Sequence, residues 1–243
     1  GGWTIEWDWQ PAYRREMTKE IFKYGRSLGI RFIYTLSYAN VPFRFKDMHP
    51  EYKYLPANAY GESREIDPRD PAAFQVEKKY LSKIVEIFGT DHLYMYSPYA
   101  EIDVGDGSVE KNLEMRIEAS KGILKLIEEV DPKGIWVTDS WDLHEKKRWN
   151  PENVKKYLDS FPAEKMYLYD TAADIAEPKL YKTHNWWHGK KWAFGILHCY
   201  AGEEALHGDP ADLTNRVKEA ATCPTCTGLF MNPEITHHNI MFW

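Results

Sequence analysis

Apolar residues recur along this chain in two rhythms. Between about Pro11 and Leu28 they fall at Met17, Ile21, Tyr24 and Leu28, a helical spacing that Gly29 ends. The run Ile30–Leu36 is short and continuously apolar, as a buried strand would be. A long connection rich in aromatics and prolines follows, Ser37 to Asp70, too long for a plain loop. Asp70-Pro71 predicts a capped helix over Pro71–Phe88. His92–Tyr96 predicts a strand. A helix follows from about Ser108 to Val130, stopped by Asp131-Pro132. The rhythm then repeats: a strand at Gly134–Ser140, a helix from Asn150-Pro151 to near Phe161, and a strand at Lys165–Asp170. The last expected elements are a strand at Trp192–Tyr200, a helix over Pro210–Ala221 and a strand at Gly228–Glu234.

Short apolar strands alternating with helices predict an α/β fold, with a parallel sheet buried on both faces by helices. The choice lies between a doubly wound sheet and a (β/α)8 TIM-type barrel. No Gly-rich phosphate turn follows any strand. Polar and aromatic candidates instead gather just after strand ends, at Asn40, Glu101, Trp141, Asp170, His198 and Glu234. That is the barrel pattern, with chemistry at the C-terminal face. About six β/α units are visible over 1–243, and they form one domain without a linker. The chain opens at Gly1-Gly2-Trp3 and stops at Phe242-Trp243. The expectation is a truncated barrel, lacking its first two β/α units and a final helix.

Charge narrows the partners. The net charge is −6 over 243 residues, and no Lys/Arg cluster could track a phosphate backbone, which argues against nucleic acid and an anionic membrane surface. No apolar run is long enough to insert into a bilayer, and no signal peptide is visible. Aromatics make up 15% of the chain, many near strand ends and loops: Trp3, Trp7, Trp9, Tyr99, Trp141, Trp149, Trp186, Trp187 and Tyr200. They either fill a large core or offer flat faces to pyranose rings. Cys223-Pro-Thr-Cys226 is a lone CxxC, with no second pair for zinc and with the wrong strand order for a redox motif. It leaves a local disulfide or plain packing. His184 and His188 could share a helix face toward a metal, or line a sugar, or be structural. His237-His238 either contacts substrate or sits in a loop, and His144–Arg148 is a solvated charged face.

Glu101 follows the second visible strand and Glu234 the sixth. In an eight-stranded barrel these strands stand opposite each other, so the two carboxylates would face across the mouth. Glycoside hydrolysis needs such a pair: one acid protonates the leaving oxygen while the other, ionised, assists from the far side. The alternative is that two of the 37 acidic residues follow strands by chance. Asp170 and Asp174 would bond sugar hydroxyls or orient Glu234, or else cap a helix. A Ser-His-Asp hydrolase is disfavoured, because no G-x-S-x-G elbow exists.

The stretch "FGTDHLYMYSPYAE" resembles the α-N-acetylglucosaminidase family of glycoside hydrolases. So do "DPRDPAAFQ", "GGWTIEWDWQ", "YANVPF", "HPEYKYLP", "IWVTDSWDL", "MYLYDTAAD", "ILHCYAGEEALHGD" and "TGLFMNPEITHHN", in the family's order. The resemblance implies a retaining, exo-acting hydrolase of terminal α-linked N-acetylglucosamine, with no metal or other cofactor. It also implies a helical domain after the barrel and a secreted, periplasmic or lysosome-like setting. It places the acid/base on Glu101, the nucleophile on Glu234, a pocket tryptophan on Trp141 and further sugar contacts at His198 and Tyr200. Asn40, Tyr99, Asp170 and Trp7 complete the expected substrate-binding set. Three positions depart from the family: Ala100 stands where Asn is usual, Asn40 where His is usual, and Ser140 where Gly is usual. A side-chain donor lost beside the acid can shift sugar specificity by orders of magnitude. The alternatives are therefore a hydrolase of the same mechanism acting on another terminal sugar, or a non-catalytic carbohydrate-binding barrel. A pure binder has no need of opposed carboxylates.

Overall fold

The computed structural model describes residues 10–37, 41–42, 44–55, 65–100, 104–105, 107–197 and 209–232. Along the chain run α1 (Gln10–Ser27), β1 (Ile33–Thr35), α2 (Phe45–Met48), α3 (Pro71–Phe88), β2 (Leu93–Met95) and α4 (Val109–Val130). They are followed by β3 (Ile135–Asp139), α5 (Pro151–Asp159), β4 (Met166–Asp170), α6 (Leu180–Thr183), β5 (Lys191–Ile196), α7 (Pro210–Ala220) and β6 (Cys226–Met231). Local chemistry sets the main helix starts. The side chain of Asp70 accepts from Ala72 N at 2.8 Å with Pro71 behind it, and Ser108, Asn150 and Asp209 cap α4, α5 and α7 in the same way.

The six strands form one sheet in the order β1-β2-β3-β4-β5-β6, with every neighbouring pair parallel. Sequential order without reversal is how a barrel winds, whereas a doubly wound sheet reverses at a switch point. Side chains alternate between two faces. Tyr94, Trp136, Leu168, Trp192 and Phe194 point to the helix layer and are fully buried there with Leu81, Ile123, Leu126 and Ile127. Removing each large side chain from water contributes about 1.5–3 kcal/mol. Ile33, Leu93, Ile135, Val137, Tyr167 and Ala193 line the other, concave face, around a space of about 450 Å³. Gly195 is a steric necessity: a Cβ there would lie 2.1 Å from the Asp170 carbonyl oxygen.

Three expectations need correction. The outer strands are not buried on both faces: β1 and β6 are largely exposed, because each is a sheet edge and the concave face is open. The stripe Met17, Ile21 and Tyr24 of α1, with Leu28 just beyond its end, points to solvent. The helix instead packs through Phe22, stacked on Phe32 at 4.2 Å and edge-on to Phe88 at 5.6 Å. The last strand begins two residues before Gly228 and ends at Met231, since Trp192 pairs with Cys226 ahead of a register shift. Among the described residues, no helix is long and apolar enough to cross a membrane.

Candidate active site at the C-terminal strand ends

The alternation that sorts core from concave face also sorts the polar residues at the strand ends. Asp139 ends β3 on the same face as Ile135 and Val137. Its Oδ1 accepts from Trp141 N at 2.9 Å, and its Oδ2 accepts from Ser97 Oγ and, at 3.5 Å, from Tyr169 Oη. Burial raises the carboxyl pKa, against the hydrogen bonds from Ser97 and the Trp141 backbone. Ser97 follows β2 and Tyr169 lies on β4, so three consecutive strands meet at this one acid. Sequence reasoning missed Asp139 because it searched after the strands. The period of two in Ile-Trp-Val-Thr-Asp was the available signal.

Trp141 opens a 3-10 turn, Trp141–His144, directly behind Asp139, and is 39% exposed. It lines a shallow depression of about 400 Å³ with Asp142, His144, Glu145 and Arg148. An exposed indole held by its own backbone suits the face of a sugar ring. A second acid lies near the same end: Glu65 accepts a short hydrogen bond from Tyr96 Oη, just past β2. Burial lifts its pKa to about 7, with Tyr96 acting in the opposite direction.

Asp170 and Tyr99 behave otherwise than expected. Asp170 ends β4 on the helix side, with Met166 and Leu168, and is 0% exposed. Ser140 Oγ donates to its Oδ1 at 3.1 Å and accepts from Thr171 N at 3.0 Å. Burial raises its pKa to about 7, against the hydrogen bond from Ser140. Asp170 therefore braces β3 against β4 and offers a sugar no surface. The pair also accounts for a serine at position 140. Tyr99 is 1% exposed, in a left-handed turn (φ 57°), and donates to Asp67 Oδ1 at 3.1 Å. Its ring packs with Leu55, Val104 and Met115 rather than facing the mouth. Asp174, half-buried past the end of β4, does not cap a helix: its Oδ1 accepts from Leu197 N at 3.1 Å, just past the end of β5.

Glu101, Glu234, Asn40, His198, Tyr200, Trp7 and His237-His238 lie outside the described residues. His184 and His188 do not share a helix face, because Asn185 to His188 all have positive φ. Burial pushes the His184 pKa down to about 4. Cys223 and Cys226 are both free thiols, which leaves packing as their role. Among the described residues, no cluster of three or more His, Cys, Asp or Glu could hold a metal ion.

Parallel β/α winding, with polar residues and an exposed indole at the C-terminal strand ends, defines a TIM-barrel architecture of the kind that carries enzymes. The family model of the α-N-acetylglucosaminidase TIM-barrel domain matches residues 2–243. The chain belongs to that family of glycoside hydrolases. Human α-N-acetylglucosaminidase is 21% identical over 228 residues, covering 89% of this chain and 30% of that protein. A family 89 glycoside hydrolase from Clostridium perfringens, solved in complex with PUGNAc, superposes with a TM-score of 0.69 at 18% identity. The match covers 92% of this chain and 25% of that one. A variant from the same organism carrying two Glu-to-Gln substitutions, in complex with its substrate GlcNAc-alpha-1,4-galactose, gives 0.68 at 17% identity. It covers 90% of this chain and 24% of that one. At such identities the solved structures establish the fold. The chain spans under a third of the human relative's length.

Proposed function

We propose that this chain forms the catalytic mouth of an exo-acting, retaining α-N-acetylglucosaminidase. Glu101 is the acid/base and Glu234 the nucleophile. Glu101 follows β2 and Glu234 follows β6, four strands further along the sheet order. In an eight-stranded ring such positions are diametric. Two more β/α units, seated between the open edges of β6 and β1 and against the bare stripe of α1, would complete that ring. We propose them as the rest of the barrel, with a helical domain beyond it.

In the glycosylation step the Glu101 carboxyl gives its proton to the glycosidic oxygen as the C1–O bond breaks, and Glu234 bonds to C1 from the opposite face. Water then attacks C1, with Glu101 taking the water's proton, and Glu234 departs. Retention asks for about 5–5.5 Å between the carboxyl groups. Trp141 would stack on the sugar, with Asn40, His198, Tyr200 and Trp7 as its polar and aromatic surround. Asp139 supports the reading most directly: it orients the Trp141 backbone and brings a half-buried carboxyl to the concave side. The variant of the related enzyme held with its substrate, which carries two Glu-to-Gln changes, is consistent with a glutamate pair.

The test is sugar release from an aryl α-N-acetylglucosaminide by the full-length protein, beside a panel of other aryl glycosides. Glu101→Gln and Glu234→Gln should each cost at least about 10²-fold in kcat with folding intact. Near-normal rates in either variant would remove that residue from its role. Ala100, which has no side-chain donor, favours one second reading: the same chemistry on a different terminal sugar. Cleavage of another glycoside in the panel would establish that reading. Silence across the panel would favour a carbohydrate-binding barrel.

A further inference from the structure

Arg116 lies on α4 and is 2% exposed, and nothing in the proposed chemistry uses it directly. A cation this deep needs partners, and the partners of Arg116 are informative. Its Nη1 donates to the Pro98 carbonyl at 3.1 Å and pairs with Asp142 Oδ2 at 2.7 Å. Its Nε donates to Asn112 Oδ1 at 2.6 Å, one turn earlier on the same helix face. Asn112 Nδ2 in turn donates to the Val104 carbonyl at 3.2 Å. The guanidinium also lies 5.9 Å from the Tyr99 ring centre and 5.7 Å from that of Trp149.

Pro98 and Val104 bracket the short stretch that carries Glu101, and Asp142 adjoins Trp141. One helix face therefore grips the chain before and after the proposed acid, and ties it to the turn presenting the indole. We infer that Arg116 and Asn112 are positioning residues for Glu101, which hold the chain on either side of it, at Pro98 and Val104, and fix those anchors relative to the Trp141 turn. The inference rests on the role proposed for Glu101. Proton donation works only within about 2.6–3.2 Å, and a displacement of about 1 Å can cost about 10²-fold. A guanidinium fork is needed because three acceptors in different directions must be met by one rigid group. A lysine keeps the charge against Asp142 but loses the fork.

The test uses the leaving group as the readout. A 2,4-dinitrophenyl glycoside departs without a proton, whereas a sugar leaving group requires one. We would measure kcat/KM of the full-length protein on both, for wild type, Arg116→Lys, Asn112→Ala and Glu101→Gln, with circular dichroism to check folding. Asn112→Ala carries the test should Arg116→Lys not fold. The expected result is a loss of about 10²-fold for Arg116→Lys on the sugar leaving group, and under about threefold on the dinitrophenyl one, with Asn112→Ala showing the same split more weakly. Equal losses on both substrates, or none, would overturn the positioning role. If Glu101→Gln shows the split while the α4 variants do not, only the positioning inference falls. If Glu101→Gln itself shows no split, the acid/base assignment falls, and the inference with it.

Discussion

The two ends of the sheet treat the same side chain in opposite ways. At the N-terminal ends, Asp91 and Asp131 are met by partners. Arg26 Nε binds both oxygens of Asp91 at 3.0 Å, and Asp131 Oδ2 accepts from His92 Nδ1 and Tyr94 Oη, each at 2.7 Å. Burial raises both pKa values, but these partners outweigh it and hold the two carboxyls below the usual range. At the C-terminal ends, burial wins for Glu65, Asp139 and Asp170, and all three carboxyls are raised. Compensated charge stabilises a fold. Under-compensated carboxyls cost stability: Asp170 braces β3 against β4, whereas Glu65 and Asp139 lie at the end of the sheet where proton chemistry and polar ligands are placed.

The comparison predicts opposite pH slopes. Asp170 has a folded pKa raised to about 7. An acid with a raised pKa favours folding when protonated, so its contribution weakens as pH climbs from about 4 to 7, by at most about 4 kcal/mol. Asp170→Asn should remove that slope in denaturant unfolding measured between pH 4 and 8. Asp131 has the opposite sign: its stabilisation is present above the unfolded pKa and is lost as pH falls through the lowered folded value. Asp131→Ala should cost about 2–3 kcal/mol at pH 7 and leave kcat/KM of the folded fraction unchanged. Asp139→Asn should do the reverse, lowering kcat/KM about tenfold through a loosened Trp141 turn, with melting shifted little. The smallest effect belongs to the exposed pair Lys83–Glu86, where Lys83→Ala should change stability by under about 0.5 kcal/mol.

Much of the fold was legible because its signals are local. Asp70-Pro71 and Gly89 bound α3 where the sequence predicts it, and the alternation of runs gives the strand order. Burial was less legible. The stripe on α1 has the right spacing, but the face it would meet is absent among the described residues, while Phe22 provides the contact. The connection from Ser37 to Asp70, too long for a plain loop and so expected to be functional or to carry short elements of its own, holds α2 and an antiparallel bridge between Tyr54 and Ile66. At the site, Trp141 stands exposed after its strand, whereas Asp170 turned out to face the helices, a distinction that rests on one step of a period of two. Arg116 could not be singled out from sequence. Two of its acceptors, the Pro98 carbonyl and Asp142, lie on other elements, and a carbonyl carries no residue-type signal.

The central claim is that two opposed glutamates work this mouth. The most direct test is to treat the full-length protein with a slow 5-fluoro analogue of the N-acetylglucosaminyl donor and map the modified peptide by mass spectrometry. The account predicts one glycosyl unit bonded to Glu234, released more slowly in Glu101→Gln. A label on another residue, or turnover with inverted anomeric configuration and no label, would contradict it.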